Sequence, residues 1–192
     1  MTLSFYSFEF IKLTLKVIQD LFIIVIETFL LIIKIIQIMT TTSNLSQRIL
    51  QANNAEWQLW LEECLSAFDC VTGTLHVLNK ETGLLELKAQ VGIPDFLLPK
   101  MSTIPVGKGM AGIAAERMEA VQVCNLQTDD SGVVRPGAKD TKVEGAITAP
   151  MILEEELFGT LGIAKKEPYE FNEEETIALM DIAAALAQKA KA

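Results

Sequence analysis

Apolar and polar residues change their rhythm several times along the chain. From Leu21 to Ile38 it reads LFIIVIETFLLIIKIIQI, apolar on every side of a helix and interrupted by Glu27 and Lys34. A helix apolar all round belongs in a core or a membrane. A span wants about 20 predominantly apolar residues, and each central charge costs roughly 2.5–3.5 kcal/mol on insertion scales. After Met39 the pattern becomes one-sided. Leu50, Trp57, Leu61, Cys64, Leu65 and Phe68 recur at helical spacing and predict one amphipathic helix over 45–67. Two strand-like runs follow, 70–79 and 84–91, joined by Lys80-Glu81-Thr82-Gly83 as a short hairpin turn. Residues 94–100 predict a helical turn that crosses the sheet.

The second half opens with Ile-Pro-Val-Gly-Lys-Gly-Met-Ala-Gly-Ile-Ala-Ala-Glu-Arg-Met, residues 104–118. Gly107 and Gly109 permit a tight turn with positive φ, and Ala111, Gly112, Ala114 and Ala115 let the next helix, 110–118, lie close to another surface. A strand over 120–126 leads to a polar loop over 127–142, longer than ordinary connections and therefore a candidate for function. Strands over 143–153 and 157–166 turn at Glu154-Glu155-Glu156. The last helix starts at Asn172, with Glu175 completing a capping box, and ends with Lys189 and Lys191 near its negative pole.

Composition separates residues 1–38 from the rest. They hold no glycine or proline and their charges cancel, so the formal charge of −9 belongs to residues 39–192. Three readings of the segment stay open: an over-extended reading frame with Met39 as the start, a membrane anchor through residues 21–38, and a buried or oligomerising helix. Glu9 in the start, the long apolar stretch and the lack of a small-residue cleavage site argue against a signal peptide. The acidic remainder, a single domain over 39–192, is a poor nucleic-acid binder. Three cysteines without paired spacing, Cys64, Cys70 and Cys124, suggest a reducing cytoplasm. With one histidine and no Cys-x-x-Cys, zinc and other metals are not expected.

The glycine segment from Ile104, Ala149-Pro150-Met151, and Leu157-Phe-Gly-Thr-Leu-Gly-Ile163, in this order of helices and strands, resemble a GAF domain over about residues 45–190. The resemblance implies an α+β, GAF/PAS-like fold. A central antiparallel sheet carries the terminal helices on one face and, on the other, a ligand pocket under crossover helices and a long loop. Fold alone does not name a ligand.

The resemblance implies three chemistries, each with its own set of residues. Free methionine-(R)-sulfoxide reductases have a similar glycine segment and need a thiolate nucleophile and a resolving cysteine. Met101, Ala111 and approximately Lys139 stand in those places. Cys124, on a strand beside the pocket, reads as a buried structural residue. Cyclic-nucleotide GAF domains carry an Asn-Lys, phenylalanine, Asp-Glu pattern. The matching positions are Lys165-Lys166, Phe171 and Glu175-Thr176, so that only a Lys166–Glu175 pairing fits. Bilin and haem need ligands for which His76 is the sole histidine, placed by its strand pattern on a solvated or helix-covered face. No cofactor and no catalytic residues are expected.

Candidate contacts are the amides of Met110, Ala111 and Gly112 at a helix start beside Lys108, a natural anion site. Asp129, Asp130 and Arg135 of the long loop, Cys124 and Thr148 complete the set. Each also has a structural reading, as turn, packing or solvated residue. The expected function is a non-catalytic sensory module for a small molecule, an anion among the candidates, signalling through terminal helices that form a homodimer. The alternatives are an interaction domain with a vestigial pocket and, third, a reductase-like enzyme. Trp57 and Trp60 crowd one helix stripe, which leaves one for a partner helix.

Overall fold

The computed structural model describes residues 2–191, and its contacts divide the chain into two units, 1–37 and 38–192. In the first unit the backbone is helical, and Leu15, Leu21, Phe22, Phe29, Leu30 and Leu31 are exposed. Helix α1 is Thr2–Gln51, and its stretch Leu15–Gln51 is long and apolar enough to cross a membrane by length and composition.

In the second unit, helices pack on both sides of a six-stranded antiparallel sheet: β1 (Thr72–Asn79), β2 (Leu84–Val91), β3 (Thr103–Pro105), β4 (Val121–Val123), β5 (Ala146–Leu153) and β6 (Glu156–Ala164). Their spatial order is β3-β2-β1-β6-β5-β4. Alternation sorts side chains between faces. Leu75, Ile147, Ala149, Met151 and Leu161 join the core with α2 (Trp57–Phe68), α5 (Glu173–Lys191) and the end of α1, where Leu45 and Ile49 are buried. The opposite face carries Thr72, Thr74, Ala146, Thr148 and Gly162. Pro150 sits inside β5 without breaking it. The neighbouring β4 pairs only with residues 146–148, so β5 is an outer strand at the proline and needs no donor there.

Three local outcomes differ from the sequence reading. The single helix expected over 45–67 is two, because Asn53 and Asn54 interrupt it between Gln51 and Trp57; asparagine side chains compete with helical hydrogen bonds. Lys189 of α5 donates to the Leu50 carbonyl at 3.0 Å and to that of Ala52 at 2.7 Å, closing the end of α1. A short β3, which the sequence did not mark, follows α3 (Leu98–Met101). The Lys166–Glu175 pairing, the one part of the cyclic-nucleotide pattern that the sequence could fit, is not formed. Glu175 instead completes the capping box, accepting from the Asn172 amide at 3.1 Å while its own amide donates to the Asn172 side chain at 2.8 Å. Its carboxylate also accepts from the Tyr169 hydroxyl at 2.9 Å.

Lys165 does the work assigned to no residue by the sequence. It is 3% exposed, and its ammonium donates to the carbonyls of Phe68 and Asp69 at the end of α2, where Asp69 is left-handed at φ 53°. A cation there satisfies carbonyls that no helical amide reaches and meets the negative helix pole. The same ammonium lies 4.7 Å from the centre of the Tyr169 ring.

Burial, then the bond to Glu175, push the Tyr169 phenol from 10.0 up to about 12. Between those values the unfolded chain releases this proton and the folded chain keeps it. The contribution to stability is therefore complete below pH 10 and is lost as pH rises toward 12. In a Tyr6→Phe background, where Tyr169 is the single tyrosine, phenolate absorbance is expected to rise with a midpoint well above 10. A midpoint at 10 removes the clamp.

Glutamines stand at both edges of the sheet. Gln58 of α2 donates to the Gln90 carbonyl of β2 at 3.1 Å and accepts from the Gln90 amide at 3.3 Å. On β4, Gln122 makes the same two bonds with the Phe171 backbone, at 3.1 and 2.9 Å.

Trp60 is 3% exposed and Trp57 half-buried, with ring centres 5.6 Å apart and nearly perpendicular. The two rings thus share one stripe by stacking edge to face.

Candidate functional site

A cavity of about 610 Å³ lies between the sheet and the segments that cross it, within the roughly 300–1,000 Å³ usual for small-molecule sites. Its floor is β1, β6 and β5. The antiparallel register places Thr74 and Thr148 on either side of Gly162. A Cβ added at Gly162 would stand 3.2 Å from the Thr148 hydroxyl and 3.3 Å from that of Thr74, so the missing side chain leaves a notch between two hydroxyls. Thr148 is 6% exposed, and neither hydroxyl bonds to another described residue.

The walls are apolar. Ile93, Leu97 and Met101 come from the crossover, and Leu126, Val134 and Val143 from the long loop and its ends. The loop is braced internally by its own lysine: Lys139 donates to the Gln127 and Asp129 carbonyls, each at 3.1 Å. A 3-10 turn, Pro136–Thr141, and the small cluster of Leu126, Val143, Ala146 and Ala164 complete this side of the cavity.

Helix α4 (Gly109–Arg117) opens onto the cavity. Lys108 supplies no side-chain cap, and the amides of Gly109, Met110 and Ala111 have no backbone acceptor. Gly109 has φ +64°, and a Cβ there would meet the Arg135 stem at 3.0 Å, so the bare glycine lets the arginine cross the helix start. Lys100, Lys108 and Arg135 form an exposed rim, and none is ion-paired among the described residues.

Of the nine residues singled out in the sequence, Lys108, Met110, Ala111, Arg135 and Thr148 line this cavity. Gly112 does not. It is buried behind, where a Cβ would stand 2.4 Å from the Pro105 carbonyl. Cys124 and Asp129 line a separate shallow concavity with Arg117 and Asn125, and Asp130 lines neither. The Asp129 carboxylate accepts from the Ser131 hydroxyl at 2.9 Å within its own loop. Thr72, Thr74, Thr141, Lys100 and Gly162 line the cavity and were not singled out. Thr72 and Thr74 alternate around Gly73 in a strand whose other face is apolar, the same signal that marked Thr148.

A family model described as GAF domain matches residues 58–189. The chain belongs to the GAF domain family. No curated protein sequence matches it. Among solved structures, the GAF domain of a phosphoenolpyruvate-protein phosphotransferase from Coxiella burnetii is similar at 23% identity and TM-score 0.70, covering 81% of this chain and 93% of its own. The corresponding Acinetobacter GAF domain shows 17% identity and TM-score 0.67, over 79% and 91%. A free methionine-R-sulfoxide reductase from Neisseria meningitidis, solved with its substrate, shows 16% identity and TM-score 0.63, over 79% and 86%. At these identities the likeness establishes the fold.

In this GAF domain the residues that could do redox or ligating chemistry lie elsewhere. Among the described residues no cysteine lines the main cavity, and no group of three or more His, Cys, Asp or Glu is placed to hold a metal. His76 is fully buried on the cavity side of β1, with Nε2 2.9 Å from the Met101 carbonyl, but does not line the cavity. Burial holds its imidazole below the ordinary value. Its Nδ1 is unpartnered, as is the hydroxyl of Thr160 opposite it on β6.

Cys124 is exposed, just past the end of β4, which corrects the buried reading. Strand β4 stops at Val123, earlier than the apolar run suggests, so the side chain escapes the sheet. Burial pushes the thiols of Cys64 and Cys70 up, Cys70 to about 12. The native chain is therefore expected to consume one equivalent of Ellman's reagent quickly, at Cys124, and two more only on unfolding. Cys124→Ser removes the fast phase; fast reaction that survives it contradicts the assignment.

Proposed function

We propose that the chain is a non-catalytic regulatory module that binds a small molecule in the cavity and signals through its terminal helices. GAF domains are commonly ligand-binding regulatory modules, and the supporting observation is the cavity itself, with apolar walls, a hydroxyl floor and a cationic rim. Binding there reaches the signalling helices through a single sheet, since Gly73 and Leu75 on the other side of β1 pack against α2 and the core. The test is native mass spectrometry of the gently purified chain. A retained mass of a few hundred daltons, lost in Arg135→Ala, supports this reading; a clean apo spectrum unchanged by added metabolite mixtures opposes it.

Half-buried Trp57 with exposed Leu59 and Ile177 on α2 and α5 favours a homodimer through those helices, a state that sedimentation velocity resolves. Exposed apolar side chains along residues 15–36 favour tethering to a membrane, the domain itself remaining on the cytoplasmic side. Recovery of the full chain in the soluble fraction would contradict the tether.

A further inference from the structure

Building on the small-molecule reading, we propose that the cavity selects organic anions bearing no positive charge, with a carboxylate or phosphate at the rim and a hydrogen-bonding group on the floor. The charges on the lining are of one sign. Lys100, Lys108 and Arg135 line the cavity, and among the described residues no aspartate or glutamate does. The acids beside the lining residues in sequence stay out of it: Asp129 bonds Ser131 in its own loop, Glu144 accepts from the Asn125 side chain, Glu116 lies against Gly107, and Asp95, Asp130 and Asp140 do not line the cavity. An ammonium brought inside would lose its water and meet hydroxyls and cations, with no carboxylate to pair it. Burying an unpaired charge is costly.

The anion has a built seat. Three free amides open α4, no side chain caps them, and Arg135 crosses the helix start over Gly109. A helix of nine residues ending in such amides favours negative charge at this end. A second, independent feature points to a ligand at the floor. The hydroxyl of Thr148, a residue only 6% exposed, faces the notch over Gly162 together with Thr74 and has no partner among the described residues. The hydroxyls both donate and accept. They suit a second polar group at the far end of the same molecule, with the apolar walls between.

The experiment is calorimetric titration of the full chain, in an uncharged or cationic buffer, with succinate, glycerol 3-phosphate, glutamine, methionine sulfoxide and putrescine. Succinate and glycerol 3-phosphate separate the carboxylate and phosphate sources of the same charge. At least one anion is expected to bind at least about tenfold more tightly than either zwitterion, and putrescine not at all. Arg135→Gln and Lys108→Gln are each expected to weaken the anion by about tenfold, the order of one charged hydrogen bond. Gly162→Ala, which fills the notch without touching the rim, and Thr148→Val weaken it while leaving the melting temperature within a few degrees. Tighter binding of a zwitterion or of putrescine overturns the ligand class and leaves a small-molecule site standing. If no probe binds and none shifts methyl resonances of Thr148, Ile93 or Val134, both the ligand class and the small-molecule reading fall.

Discussion

Replacing Gly112 by alanine is expected to destabilise the domain by about 3 kcal/mol, lowering the melting temperature by roughly 6–12 °C. The new Cβ would stand 2.4 Å from the Pro105 carbonyl and 3.1 Å from the Gly107 amide. Both contacts are backbone, so no side chain can swing aside. Relief requires moving α4 away from the turn, and that turn is closed by the Gly107 amide donating to the Gly112 carbonyl at 2.7 Å. Gly83→Ala is the control. It has φ +70° and nothing within 4 Å, and so pays only for left-handed backbone, about 1–2 kcal/mol. Thermal melts of the two variants separate crowding from strain. Equal losses would mean that α4 is not held by this contact.

Lys165→Met is expected to cost about 3 kcal/mol by urea denaturation, whereas Lys166→Met one residue on is expected to cost nothing measurable. Methionine keeps the volume of the stem, so the loss isolates the ammonium. Without it the Phe68 and Asp69 carbonyls at the end of α2 lose a charged donor in a place where Lys165 is 3% exposed and water has little access. The Tyr169 ring loses its cation as well. Lys166 is exposed and makes no such bonds. Equal denaturation midpoints for the two variants would show that water replaces the ammonium at the helix end.

Much of the fold was legible because its signals are local. The hairpin turn at Gly83, the positive-φ glycines at 107 and 109, and the Asn172–Glu175 capping box each rest on residues within a few positions of one another. What escaped depends on partners far along the chain. Nothing near Lys165 indicates that it will meet the Phe68 carbonyl, and nothing near Lys189 indicates the end of α1. At the cavity, Arg135 and Lys108 were visible as cations beside a glycine turn. Asp129, turned toward Ser131, has the sequence signature of a ligand contact, and Lys139, which staples the loop, stands out in the sequence only at the approximate place of an absent cysteine. Thr74 acquires meaning only with the register that sets it beside Gly162 and Thr148.

The glutamines at the sheet margins bear on how this protein tolerates crowding. An unpaired strand margin invites the backbone of another copy, and stacking of that kind is how fibrils grow. Gln58 offers the outward amide and carbonyl of Gln90 the two bonds that an incoming strand would make. On the far side β4 is only three residues long, and its Gln122 is engaged with Phe171. Strand addition thus meets an occupied pair of backbone groups at Gln90 on one side and a margin of only three residues on the other.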